Sequence, residues 1–205
     1  HVVSRKHPIV DSHVHLTPTP EVFNVALKIF SRANVTRFAV KSAGSYGSLR
    51  YKETLKMADV LGDRMAWFIN LDWTGIDEPG WGKREADHLA RAVREGARGV
   101  KIFKALGLGV RLEDGSLLRI DDKRLEPIWR RAGEVGAIIA WHVADPVAFF
   151  KPIDKNNERY EELSLAPDWS FHGEDYPGHD ELLAQRDKVV KSHPKTIFLG
   201  IHLAN

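Results

Sequence analysis

The chain has 205 residues, 43% hydrophobic and 28% charged, and its 30 basic and 28 acidic residues leave a formal net charge of +2. These values are typical of a globular domain with a buried core, and nothing in them indicates a nucleic-acid surface. The absence of cysteine excludes disulfides, thiolate ligands and a cysteine nucleophile. Since no apolar run reaches membrane-spanning length and no signal peptide is visible, we expect a soluble chain, cytoplasmic or exported from a bacterium.

Short apolar segments alternate with segments of helical spacing along the whole sequence. The predicted strands are residues 9–16, 36–43, 66–72, 99–105, 137–144 and 196–203. Thr19 and Pro20 predict the start of the first helix, and Gly62, Gly96 and Gly136 predict the ends of later ones. No Gly-rich phosphate loop follows a strand, which disfavours a nucleotide-binding doubly wound sheet.

This alternation predicts an α/β fold of the TIM type, a (β/α)8 barrel. The sequence accounts for about six β/α units, so residues 1–205 are expected to form a single, incomplete barrel domain. We expect the remaining units to lie outside these residues, and the first and sixth strands to be open edges of the sheet.

The segment Asp11-Ser12-His13-Val14-His15 ends the first predicted strand. Residues two apart on a strand project from the same side, so His13 and His15 could converge on one metal ion. Imidazole nitrogen suits zinc, manganese or iron. Two unrelated histidines would produce the same spacing, and the spacing alone does not separate these interpretations.

His142 and His202 lie near the ends of the fifth and sixth predicted strands. A polar ring in so apolar a strand needs a partner, and a core histidine bonded to the backbone is the alternative interpretation for each. The carboxyl ends of barrel strands face one axial site. Four histidines at three such ends therefore favour a common site.

Lys101 and Lys104 belong to the fourth predicted strand and would face opposite sides of a regular strand. A lysine inside a barrel is costly unless it is paired. Lys101 could bind a substrate carboxylate, or be carboxylated and bridge two metal ions, or extend its ammonium to the rim.

The longest connection, residues 144–178, follows the fifth strand and is rich in aromatic residues. Loops after strands lie on the catalytic face of a barrel, so we expect Phe150 and Trp169 to form a pocket wall that contacts substrate. Asp145 is predicted to contact substrate or to orient a ligand, although it could simply begin a turn.

In their order, these segments resemble the amidohydrolase superfamily, in particular the branch that includes aminocarboxymuconate-semialdehyde decarboxylase. The segments that carry the resemblance are residues 9–16, 99–102, 121–128, 140–146 and 193–202. The resemblance implies that His13, His15 and His142 bind a divalent metal, in the first place zinc, with manganese or iron as alternatives. It also implies that His202 ligates the metal or orients the attacking water. The family's aspartate after an eighth strand has no counterpart in this sequence.

With this resemblance, the sequence predicts a metal-dependent hydrolase that cleaves an amide, ester or lactone bond of a small molecule. His202 and Lys101 are the predicted catalytic residues. A decarboxylase acting on a small carboxylic acid, or a binding barrel without catalysis, are the alternatives. The expected partners are a small-molecule substrate and other copies of the chain in a homo-oligomer, with neither nucleic acid nor membrane.

Overall fold

The six predicted strands pair in their sequence order to form one parallel sheet. The structure is a computed structural model that describes residues 7–144 and 146–202. The strands are β1 (Ile9–Val14), β2 (Val35–Val40), β3 (Met65–Ile69), β4 (Gly99–Ile102), β5 (Ile138–Trp141) and β6 (Ile197–Gly200).

Helices connect consecutive strands, as parallel pairing requires. They are α1 (Pro20–Arg32), α2 (Leu49–Leu61), α3 (Trp81–Arg94), α4 (Ala105–Leu108), α5 (Glu126–Val135), α6 (Tyr160–Leu165) and α7 (His179–Ser192). Short 3-10 segments occupy Gly62–Arg64, Lys123–Leu125, Val147–Phe150 and Pro167–Trp169. None of the helices in the described ranges is both long and apolar enough to cross a membrane.

Local capping chemistry places the helix ends where the sequence predicted them. The Thr19 hydroxyl accepts a hydrogen bond from the Val22 amide, and Pro20 is the first residue of α1. At the carboxyl end of α5, Gly136 has a φ of 67°, in the left-handed region that glycine adopts at low cost. These ends depend on residues close in sequence, which is why they could be predicted.

The strands divide their side chains between two faces of the sheet. One face packs against the helices and buries residues such as Trp67, Ile139 and Trp141. The other face carries a smaller apolar cluster that includes Phe68 and Ala140. This division follows the two-residue period of a strand. It leaves the second face for the polar side chains at the strand ends.

The sheet is curled into a half-barrel. Within the described residues β1 and β6 are its two outer strands and do not pair with each other, yet the rings of His13 and His202 lie 5.3 Å apart. The predicted six β/α units are therefore confirmed. The strands are shorter than predicted, since β1 ends at Val14 and β6 at Gly200.

Candidate metal centre

Four imidazole rings meet at the carboxyl ends of β1, β5 and β6. The ring centroids of His13 and His15 are 4.9 Å apart, those of His13 and His202 are 5.3 Å apart, and those of His142 and His202 are 4.4 Å apart. The rings thus follow one another in the order His15, His13, His202, His142. The structure brings together all four histidines that the sequence singled out.

The His13 and His15 rings present the same nitrogen to each other. Their Nε2 atoms lie 2.9 Å apart, so one Nε2–H can donate to the other, or both lone pairs can face one cation. Two imidazole nitrogens bound to one tetrahedral zinc at about 2.0–2.1 Å would lie about 3.3 Å apart. A shift of a few tenths of an ångström therefore separates this pair from joint coordination.

Burial and neighbouring positive charge keep these two rings neutral. Burial lowers the pKa of His13 to about 4, and the charges of His15 and Lys101 act in the same direction. The pKa of His15 is also lowered, first by burial and then by Lys101 and Arg50. A neutral imidazole has the lone pair that a metal ligand requires, so both donors are in the binding form at neutral pH.

Different backbone features place the rings of His13, His142 and His202. The Asp11 carboxylate accepts the His13 amide at 3.1 Å, where the β1–β2 ladder changes register. The His142 amide donates to the Ile102 carbonyl at 3.0 Å, which continues the β4–β5 ladder. His202 has a φ of 54°, a left-handed value that costs a non-glycine residue on the order of 1 kcal/mol. Strain of this kind is common at functional sites.

Lys101 is buried on the same side of the sheet as the histidines. Its Nζ donates to the Ile102 carbonyl at 2.9 Å and lies 4.7 Å from the Phe103 ring centroid. The Phe103 ring is in turn 5.7 Å from the His15 ring. Lys101 therefore contributes positive charge to the site. That Lys101 is an unmodified ammonium, and not a carboxylated lysine, stays a prediction.

A second buried lysine was not singled out from the sequence. Lys41 follows β2, and its Nζ lies 3.2 Å from the Phe68 ring centroid, while burial lowers its pKa to about 8. The Asn70 side-chain amide donates to the Lys41 carbonyl at 3.2 Å and to the Lys101 carbonyl at 3.4 Å, which ties the two strand ends together. The sequence contains one signal for Lys41, namely its position directly after an apolar strand.

A cavity of about 500 Å³ opens beside His142 and His202. Its walls combine aromatic and charged side chains, including Phe149, Trp169, Phe171, Lys104, Arg159, Glu162 and Asp168. The structure thus places Trp169 in the wall of the cavity that His142 and His202 also line, and its contact with substrate stays a prediction. Lys104 also lines this cavity, because β4 ends at Ile102 and the backbone turns before Lys104.

Phe150 does not reach the histidine cavity. It lines a separate cavity of about 740 Å³ with Phe171, Tyr176 and His179. The 3-10 segment Val147–Phe150 directs neighbouring side chains differently, so Phe149 takes the position that the sequence suggested for Phe150. Asp145, the other predicted substrate residue, lies outside the described residues.

The donor set fits a divalent metal, although the ligands are not yet gathered around one point. In residues 7–144 and 146–202, no three His, Asp or Glu side chains form a ready-made metal-binding group. The neutral rings of His13 and His15 offer two nitrogens to a common position, and His142 and His202 adjoin them. A bound cation would need to draw a third ring, that of His142 or His202, toward the nitrogens of His13 and His15.

The family model described as amidohydrolase matches residues 10–205, whereas none of the curated proteins matches the chain. A 2,6-dihydroxybenzoate decarboxylase from Rhizobium superposes with a TM-score of 0.56 at 14% identity, over 94% of this chain and 65% of that one. A 5-carboxyvanillate decarboxylase from Novosphingobium aromaticivorans, complexed with manganese, has a TM-score of 0.53 at 12% identity, over 95% and 65%.

A manganese-bound dihydroxybenzoic acid decarboxylase from Polaromonas sp. JS666 has a TM-score of 0.56 at 12% identity, over 94% of this chain and 64% of that one. The chain therefore spans just under two thirds of the length of these three structures. At such identities the likeness shows the fold alone, and that fold is the predicted TIM-type barrel.

Proposed function

This chain belongs to the amidohydrolase family, and we propose that it carries the metal centre of an enzyme that decarboxylates a small carboxylic acid. The observation that carries the proposal is the convergence of four imidazole rings in a positive environment. The buried lysines Lys41 and Lys101 both contribute to the lowered pKa of His13. A positive potential at the rings favours an anionic substrate.

His13, His15 and His142 would hold the metal, with manganese or zinc as the first candidates. The histidine nitrogens suit either ion, and two of the similar decarboxylases carry manganese. When bound, the ion supplies Lewis-acid polarisation of a substrate oxygen and a lowered pKa of water. The neutral state of His13 and His15 means that binding displaces few protons from these two rings.

The remaining residues would act on the substrate directly. The positive charge of Lys101 would hold the carboxylate near the rings, and Trp169 would cover the apolar part of the molecule. In decarboxylation the C–C bond to the carboxylate breaks, CO2 leaves, and the electron pair left on carbon takes up a proton. His202, exposed at the cavity, would deliver that proton and recover one from solvent.

Hydrolysis of an amide, ester or lactone is the second candidate, because His202 lies at the cavity beside the other imidazole rings. His202 would orient or deprotonate the attacking water at the position where an acid substrate would receive a proton. The same ligand set would serve both reactions. The substrate decides between them, because a carboxylate suits the first reaction and a neutral acyl group suits the second.

Two parallel assays test the proposal on protein loaded with Mn²⁺ or Zn²⁺. One measures CO2 release from a panel of small carboxylic acids, and the other measures acid release from amides, esters and lactones. We expect CO2 release that stops after chelation and returns when metal is restored. Acid release without CO2 would replace the proposal with the hydrolase, and inactivity of fully loaded protein in both assays would leave a binding barrel.

A further inference from the structure

Arg50, the second residue of α2, joins the ends of β1 and β2. Its Nη2 donates to the Leu16 carbonyl at 2.9 Å and to the Ser42 hydroxyl at 3.2 Å, and its Nε donates to the Ser42 carbonyl at 2.5 Å. Leu16 directly follows His15. A single partly buried guanidinium therefore connects the residue after a site histidine to the loop after β2.

The end of β1 needs such a connection because its ladder is irregular. The β1–β2 register shifts between Asp11 and Val14, so the pairing is interrupted at His13. The Val14 carbonyl then accepts the Lys41 amide at 2.9 Å. With Arg50 on the Leu16 carbonyl, both residues flanking His15 are held from the side of β2. That restraint limits the backbone angles that direct the His15 ring.

The loop after β2 is shaped around the Arg50 side chain. Gly44 has a φ of 87°, and a Cβ added there would lie 2.9 Å from the Arg50 Cβ and 2.8 Å from the Ser48 hydroxyl. The Gly44 amide also donates to the Asn70 side chain at 3.1 Å. A side chain at position 44 would therefore strain the loop and displace Arg50 together.

We propose that Arg50 is a positioning residue that sets the direction of the His15 ring toward His13. Its planar fork reaches acceptors on two strand ends at once, which the single ammonium of lysine cannot reproduce with the same geometry. The consequence for metal affinity rests on the proposed function, because it takes His15 as a ligand. The consequence for the ring itself holds in the metal-free protein.

The first measurement is the imidazole ¹⁵N spectrum of the metal-free protein at a pH well above 6.5, where both rings are neutral with or without the Arg50 charge, with His15→Ala used for assignment. Arg50→Met should shift the His15 and His13 Nε2 signals, and Arg50→Lys should shift them less. Arg131→Met is the matched control, since Arg131 on α5 is also partly exposed and forms ion pairs with Glu134 and Asp87. It should leave both signals in place.

The second measurement is a competition titration with Mn²⁺ and Zn²⁺. Loss of a group that orients a ligand typically weakens metal binding by about 10–100-fold, and we expect that range for Arg50→Met, with partial recovery in Arg50→Lys. Unchanged imidazole signals in Arg50→Met, or equal shifts in Arg131→Met, would overturn the inference. If Arg50→Met does not fold, Arg50→Lys and Gly44→Ala provide the comparison.

The two measurements separate this inference from the proposed function. Shifted imidazole signals in a protein that binds no metal, even as wild type, would support Arg50 as a positioning residue and reject the metal centre. Normal metal binding by wild type with unshifted signals and unchanged affinity in Arg50→Met would reject the role of Arg50 and keep the metal centre.

Discussion

The imidazole rings of His13 and His202 lie 5.3 Å apart, although they follow the two outer strands of a six-stranded sheet. Four strands separate β1 from β6 along the ladder. Only the curl of the whole sheet can bring these two rings together. The candidate metal centre is therefore a property of the half-barrel and not of any one strand.

Removal of one histidine from the shared site should remove the metal. We expect His13→Ala and His142→Ala each to lose most bound metal, because the remaining nitrogens cannot surround a cation, while the far-UV circular dichroism is retained. Metal analysis after gel filtration measures this. His7→Ala is the control, since His7 is exposed ahead of β1 and its backbone carbonyl supplies its contact with Asn34. Full metal content in both site variants would refute the ligand assignment.

Lys101 should be an unmodified ammonium beside a single metal ion. Its Nζ donates to the Ile102 carbonyl, and a carboxylated nitrogen would keep a single N–H for that bond while losing the positive charge. Crystallographic density at Lys101 and the number of metal ions per chain provide the measurement. Extra density on Nζ together with two ions would establish the bridging alternative instead.

Trp169 and Phe149 should influence substrate binding more than Phe150 does. Both line the cavity beside His142 and His202, whereas Phe150 lines the neighbouring one. We expect Trp169→Ala and Phe149→Ala to raise KM by about tenfold, equivalent to about 1.4 kcal/mol, with metal content unchanged. Phe150→Ala is the matched comparison, and a KM increase equal to that of Trp169→Ala would contradict the assignment.

Replacing Lys41 should stabilise the fold below pH 8. Burial lowers the folded-state pKa of Lys41 from 10.5 to about 8, so the unfolded state binds its proton more tightly between these values. Burial of the charged lysine therefore costs stability below pH 8, and the cost disappears as the pH rises toward 10.5. We expect Lys41→Met to gain about 1–3 kcal/mol at pH 7, less any lost contact of the ammonium with Phe68.

Urea unfolding of Lys41→Met and wild type at pH 7, 9 and 10.5 checks this prediction. Lys56→Met is the control, because Lys56 lies on α2 with its side chain 66% exposed and should show no such pH dependence. A stability difference that stays constant over the three pH values would show that the charge of Lys41 is not the cause.

Much of the architecture and the choice of histidines could be predicted from sequence. The strands follow from apolar runs. The start of α1 at Thr19 and the end of α5 at Gly136 follow from capping, which involves residues only a few positions apart. The pairing of His13 with His15 follows from the two-residue period of a strand. Each of these inferences needs only neighbouring residues and the geometry of one element.

The tertiary structure alone decided which other residues surround the rings. Arg50 reaches Leu16 over 34 positions of sequence, and Asn70 joins Lys41 to Lys101 across three strands. The choice of Phe149 over Phe150 depends on the turn that follows β5. These contacts arise because sheet curl and loop path bring distant segments to one edge, and no local pattern in the sequence encodes a distance between such segments.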